Sequence, residues 1–241
     1  MPKKLSKNSF PPSSSTLSSL SSITTSSTST TNAALTLLPA SLADPALPLP
    51  KLVVFDLDYT LWPFWVDTHV AMPLKPNSTH SAGIDKYGEE FAFYDDVPNI
   101  MYTLPRAGVR MAVASRTPTP NIARDLLKII HIPPPPPADD ATAPSKPEKP
   151  KRATDLFEGG IEAYPGSKLK HFEIIQKRTG IRYEDMLFFD DEPRNFETES
   201  LGVTMYLIRD GTSWNEIEKG VLKWRTRRGH IQAQTSTGMA A

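Results

Sequence analysis

Lys51-Leu-Val-Val-Phe-Asp-Leu-Asp-Tyr-Thr60 constrains this chain more than any other stretch. Its unbroken apolar, β-favouring start reads as a strand buried on both faces, as in a parallel sheet. Asp56 and Asp58 follow where that strand meets its loop, the rim on which open α/β sheets hold ligands. Two carboxylates this close repel each other unless a cation or a shared proton intervenes. A strand-end Asp can also simply cap a turn, because it accepts readily from nearby backbone N–H groups. On D-x-D-x-T alone the two readings are evenly matched.

Three downstream elements tip the balance. Val109-Arg-Met-Ala-Val-Ala-Ser-Arg-Thr117 is a second strand-like run, ending in hydroxyls at Ser115 and Thr117. A hydroxyl beside free loop N–H groups suits a phosphate oxygen, and it equally suits a cap on the next helix. Tyr164-Pro-Gly-Ser-Lys168 opens an amphipathic stretch that Gly180 stops. Lys168 falls in the first turn of that helix, where the dipole disfavours a cation, so negative groups are expected to offset it. Asp185-Met-Leu-Phe-Phe-Asp-Asp-Glu-Pro-Arg-Asn195 is a third run, ending in Asp190, Asp191 and Glu192. Adjacent acids on a buried strand call for a cation, and an all-oxygen set suits Mg²⁺.

The runs place strands at 51–56, 109–114, 186–190 and 203–208. Helices are expected at 97–107, 118–130, 167–179, 194–201 and 214–226. Alternating strand and helix signals predict an α/β fold: a three-layer, Rossmann-like parallel sheet with helices on both faces. Residues 62–70 and 91–95 are expected to form the two arms of a small β-hairpin flap. Only 57 positions separate Asp58 from Ser115, enough for the flap, a helix and a strand but not for a cap domain. The site is therefore expected to be open.

In their order these four motifs resemble the haloacid dehalogenase-like (HAD) superfamily. The aromatic continuation Leu-Trp-Pro-Phe-Trp after Thr60 is similar to its magnesium-dependent phosphatases. The resemblance spans about residues 51–230. It implies an Mg²⁺-dependent phosphomonoester hydrolase acting on phosphotyrosine proteins or sugar phosphates. Asp56 would be the nucleophile, Asp58 the acid–base, and Lys168 a catalytic and substrate-binding cation. Ser115 and Arg116 would bind substrate, and Asp56, Asp58, Asp190 and Asp191 would hold the metal. Most members have Gly where Tyr59 stands, so the ring should narrow the site locally. A haloacid dehalogenase has no need of Asp58. A non-catalytic interaction protein on the same scaffold is the other alternative, although every expected chemical group is present.

The remaining sequence bounds the surroundings. Residues 1–50 and 231–241 read as disordered tails, the first dominated by Ser and Thr that cannot offset the entropy of ordering. Residues 132–153 read as a Pro-rich loop inside a domain spanning 51–230. Its run Pro133 to Pro137 would suit a proline-recognising partner. Cys is absent and formal net charge is +0, so a cysteine-based phosphatase is excluded and nucleic acid is not an expected partner. No apolar run is long enough to span a membrane. The expected protein is a cytoplasmic monomer, with nuclear or mitochondrial placement left open, acting on a phosphorylated small molecule or a phosphoprotein.

Overall fold

The computed structural model describes residues 38–135 and 148–232. Residues 1–37 of the tail expected at 1–50, 136–147 of the Pro-rich loop expected at 132–153 and 233–241 of the tail expected at 231–241 lie outside the described residues. In chain order the elements are β1 (Leu52–Phe55), α1 (Val66–His69), β2 (Lys75–Pro76), β3 (Ala82–Ile84), β4 (Glu90–Ala92) and α2 (Val97–Arg106). They continue with β5 (Arg110–Ser115), α3 (Pro120–Ile129), β6 (His131–Ile132), β7 (Lys151–Arg152) and β8 (Ile161–Ala163). The last are α4 (Lys168–Thr179), β9 (Met186–Asp190), β10 (Thr204–Leu207) and α5 (Trp214–Arg227).

Five strands pair in the order β10-β9-β1-β5-β8, and every pair is parallel. The chain winds outward from β1 through β5 to β8, then crosses to β9 and β10. The direction of winding thus reverses at β1 and β9, the crevice where doubly wound sheets place their ligands. Register aligns Phe55 with both Val113 and Phe189. Asp56, Ser115 and Asp190 accordingly emerge together at the carboxyl edge of three adjacent strands.

The central strands β1, β5 and β9 are mainly apolar because both faces of the sheet are covered. Val53, Phe55, Met111, Val113, Leu187 and Phe189 face one layer, with Ile100 and Leu104 of α2, Leu126 of α3 and Trp224 of α5. Leu52, Val54, Ala112, Ala114, Met186 and Phe188 face the other, with Phe172 and Ile175 of α4. Each fully buried Val, Leu, Ile, Met or Phe among them contributes roughly 1.5–3 kcal/mol of transfer free energy. Gly220 lets α5 lie close on the sheet, since a Cβ there would stand 2.4 Å from the Phe189 ring. Helix α4 starts where Ser167 accepts from Leu169 N and stops at Gly180, φ 68°.

Three expectations need correction. The flap is a three-stranded antiparallel sheet, β2-β3-β4, and residues 62–70 carry the short helix α1 rather than a hairpin arm. Residues 193–201 form 3₁₀ turns, not an α-helix, because Pro193 and the side chains that bond Asp190 tighten that segment. Residues 38–50 do not belong to a disordered tail. Leu38 and Leu42 are buried, and the buried Arg225 donates to the carbonyls of Ser41, Leu47 and Pro48. At the other end of the Pro-rich stretch, β6 and β7 pair and Glu148 grips Arg106, so the insertion leaves and re-enters at one place.

Arg225→Ala should lower the free energy of unfolding by about 2–4 kcal/mol, because three carbonyls lose their donor inside the protein. Urea unfolding followed by tryptophan fluorescence measures it. An unchanged midpoint would show that Arg225 does not tie residues 38–50 to the domain.

Candidate active site

Lys168 is the first residue of α4 and only 1% exposed. Its ammonium lies 2.6 Å from Asp56 Oδ1 and 2.9 Å from Asp190 Oδ2, and it donates to Ala114 O at 2.5 Å. One cation thus touches the ends of β1, β5 and β9. Burial would drag the Lys168 pKa down, but the two carboxylates outweigh it and hold it above the ordinary value.

The acids around it carry more negative charge than one ammonium neutralises. Burial, with the Asp190 and Asp58 charges, pushes the Asp56 pKa above the ordinary carboxylate value against the pull of Lys168. Burial also raises Asp58 to about 6, opposed by its hydrogen bonds. Asp58 Oδ1 accepts from Trp62 Nε1 at 2.7 Å and from Val66 N at 3.3 Å, so that oxygen is fixed and Oδ2 is left to carry a proton. Burial and then the Asp190 charge raise Asp191 to about 6.

Asp190 is fully buried. Both its oxygens accept from Asn195 Nδ2 at 2.8 Å, and Oδ1 also accepts from Glu192 N at 2.8 Å. Asn195 was not singled out in the sequence. Its only signal is an amide five positions past a strand-end acid, and only the 3₁₀ turns at 193–201 bring it back.

A cleft of about 200 Å³ is lined by Asp56, Asp58, Ser115, Arg116, Lys168 and Asp191, with Trp65, Asp67, Thr117, Pro118, Glu192 and Arg194. Every expected site residue except Asp190 is therefore on its wall. Ser115 Oγ accepts from Thr117 N at 3.3 Å, which aims its own hydroxyl hydrogen elsewhere. Arg116 is held by Glu197 at 2.7 Å, and Ser167 Oγ donates to the same carboxylate. Arg116 thus reaches the wall already paired.

Among the described residues no three His, Cys, Asp or Glu side chains form a ready cation cage. Mg²⁺ does not need one. It commonly takes one or two carboxylates and keeps several waters. The hard oxygen donors on this wall, raised in pKa and short of positive charge, fit such an ion.

These strand-end acids around a buried lysine, on a doubly wound sheet, define a HAD-like phosphatase. The comparisons agree. The family model described as Acid Phosphatase matches residues 48–227, and the chain belongs to that family. It is 46% identical over 156 residues to a HAD-like hydrolase superfamily protein of Schizosaccharomyces pombe, covering 64% of this chain and 83% of that protein. It is 40% identical over 176 residues to human magnesium-dependent phosphatase 1, covering 72% of this chain and 86% of that protein.

His171, one turn along α4 from Lys168, supplies a pH test. Its Nε2 donates to Tyr164 O at 3.1 Å, and its buried Nδ1 has no partner. Burial, then the Lys168 charge, depresses its pKa from 6.5 to about 4. A depressed base binds fewer protons folded than unfolded, so its stabilisation is complete above about pH 6.5 and is lost as pH falls toward 4. Between pH 7 and 4.5 the wild type should lose roughly 2 kcal/mol more stability than His171→Gln. Urea unfolding at both pH values checks it, and parallel losses would refute the buried neutral imidazole.

Proposed function

We propose that this chain hydrolyses phosphomonoesters in two steps through a phosphoaspartate on Asp56. The observation that carries the proposal is the Asp56 carboxylate, pinned at 2.6 Å by Lys168 on the wall of a cleft shared with Asp58 and Ser115.

In the first step an Asp56 oxygen bonds to phosphorus while the ester P–O bond breaks. Asp58 gives its proton to the departing oxygen; a carboxyl raised to about 6 keeps that proton closer to neutrality than an ordinary Asp does. In the second step Asp58 takes a proton from water, and the water oxygen bonds to phosphorus. The Asp56–phosphorus bond breaks, which restores the carboxylate and yields inorganic phosphate. Lys168 and the Ser115 hydroxyl stabilise negative charge on the phosphoryl oxygens throughout. Asp190, oriented by Asn195, holds Lys168 in reach of Asp56.

Mg²⁺ would be held by the Asp56 carboxylate, the Asp58 backbone carbonyl and Asp191, with water completing the shell. When bound it supplies positive charge that lets a carboxylate approach a phosphate. Asp191 is preferred to Asp190 as the second carboxylate because the Asp190 oxygens already accept from Lys168, Asn195 and Glu192 N. Arg116 can serve the phosphate only by sharing or leaving Glu197. The small flap leaves an open cleft, which admits a phosphorylated protein side chain as well as a free sugar phosphate.

Purified protein should hydrolyse p-nitrophenyl phosphate with Mg²⁺ and stop on addition of EDTA. Asp56→Asn should lower kcat at least about 10³-fold, the scale of losing a covalent nucleophile. Turnover equal to wild type would refute the nucleophile assignment. Asp58→Asn should cut turnover about 10²-fold or more by removing the proton carrier, and acid-quenched samples should retain phosphoenzyme. A variant as fast as wild type would remove Asp58 from proton transfer.

A further inference from the structure

A second cleft, of about 510 Å³, opens beside the acidic one. Tyr59, Pro193, Leu207, Ile208 and Arg209 line it, and Trp65 and Asp191 belong to both walls. A molecule whose phosphate occupies the acidic cleft has this space next to its esterified group.

The walls have a distinct chemistry. Trp65 is 51% exposed, whereas Trp62, three residues earlier, is fully buried. The exposed indole is nonetheless held. It stacks on His69 with centroids 5.8 Å apart and nearly parallel planes, and it meets the Tyr59 ring edge-on at 5.0 Å. Tyr59 has φ +53°, a left-handed conformation that is costly for an aromatic residue and that clusters at ligand sites. Leu207 and Pro193 add apolar surface, while Ile208 lies buried behind them. Arg209 is exposed, and unlike Arg116 and Arg194, paired with Glu197 and Glu192, it has no carboxylate partner among the described residues.

We propose that the second cleft receives the leaving group of the ester and selects a planar aromatic ring bearing an anionic group, with the ring on Trp65 and Tyr59 and the anion on Arg209. The proposal rests on the acidic cleft being the phosphate site. An aromatic ring gains from stacking on a fixed indole beyond its buried area. An aliphatic group filling the same volume does not. The Arg209 guanidinium supplies the positive charge on this wall, and it forks to match a carboxylate.

Phosphonates, which the enzyme cannot turn over by P–O cleavage, separate binding from catalysis. Isothermal titration of the Mg²⁺-loaded protein should show phenylphosphonate binding about tenfold tighter than methylphosphonate. Trp65→Ala should erase that ratio. 3-Carboxyphenylphosphonate should gain about a further threefold, and Arg209→Gln should remove that gain alone. Equal affinity for methyl and phenyl, or a ratio that survives Trp65→Ala, overturns the aromatic assignment. A carboxylate gain that survives Arg209→Gln overturns the role of the cation. If none of the phosphonates binds, the acidic cleft is not a phosphoryl site and both readings fall; if all bind alike, only the second cleft does.

Discussion

A buried ammonium with carboxylates on two sides organises this molecule. Desolvating Lys168 alone would cost several kcal/mol, and its place in the first turn of α4 adds an unfavourable helix dipole. Asp56, Asp190 and the Ala114 carbonyl offset both. Those groups come from the ends of β1, β9 and β5, so satisfying one cation locks the three central strands to the start of α4. The carboxylates need Lys168 as much as it needs them. Removing either side leaves a charge uncompensated in the interior, which is far costlier than the pair is stabilising.

The strand-end groups inherit their order from that lock. Parallel register brings Asp56, Ser115 and Asp190 to one rim, and Asn195 fixes the face that Asp190 turns to Lys168. Asp58 is held differently, by the flap side of the site. Trp62, stacked with Phe64 and Phe93 at 5.4 and 5.9 Å, donates its indole N–H to the Asp58 carboxylate. The aromatic cluster is thus both the base of the flap and the support of the Asp58 carboxylate. Trp65 stands outside this cluster, because its exposed ring faces the two clefts.

Much of the fold was legible because both-face burial demands continuous apolar runs, and each run ended on its functional group. Four of the sheet's five strands and the helices that cover them followed from order and spacing; β8, only three residues long, did not, and the grouping of Asp56, Ser115, Lys168 and Asp191 came from the motifs that carry the resemblance. The strap at 38–50 was missed because Leu38 and Leu42 are too sparse to signal a packed segment; the receiving Arg225, in a basic cluster, resembles a solvated helix face. The three-stranded flap was missed because strands of two or three residues are too short to show a period. The 3₁₀ turns at 193–201 were read as a helix because spacing alone does not distinguish the two.

By itself the sequence determined which chemical groups exist and which strand ends deliver them: strand-end acids, a hydroxyl, a lysine at a helix start, and no cysteine. Tertiary structure alone decided how the acids divide their work. Asp190 and Asp191 are neighbours of identical chemistry, and no local pattern separates them. Alternation along the chain sends one into the interior against Lys168 and Asn195 and the other to the cleft wall, so burial and partners, not residue type, distinguish them.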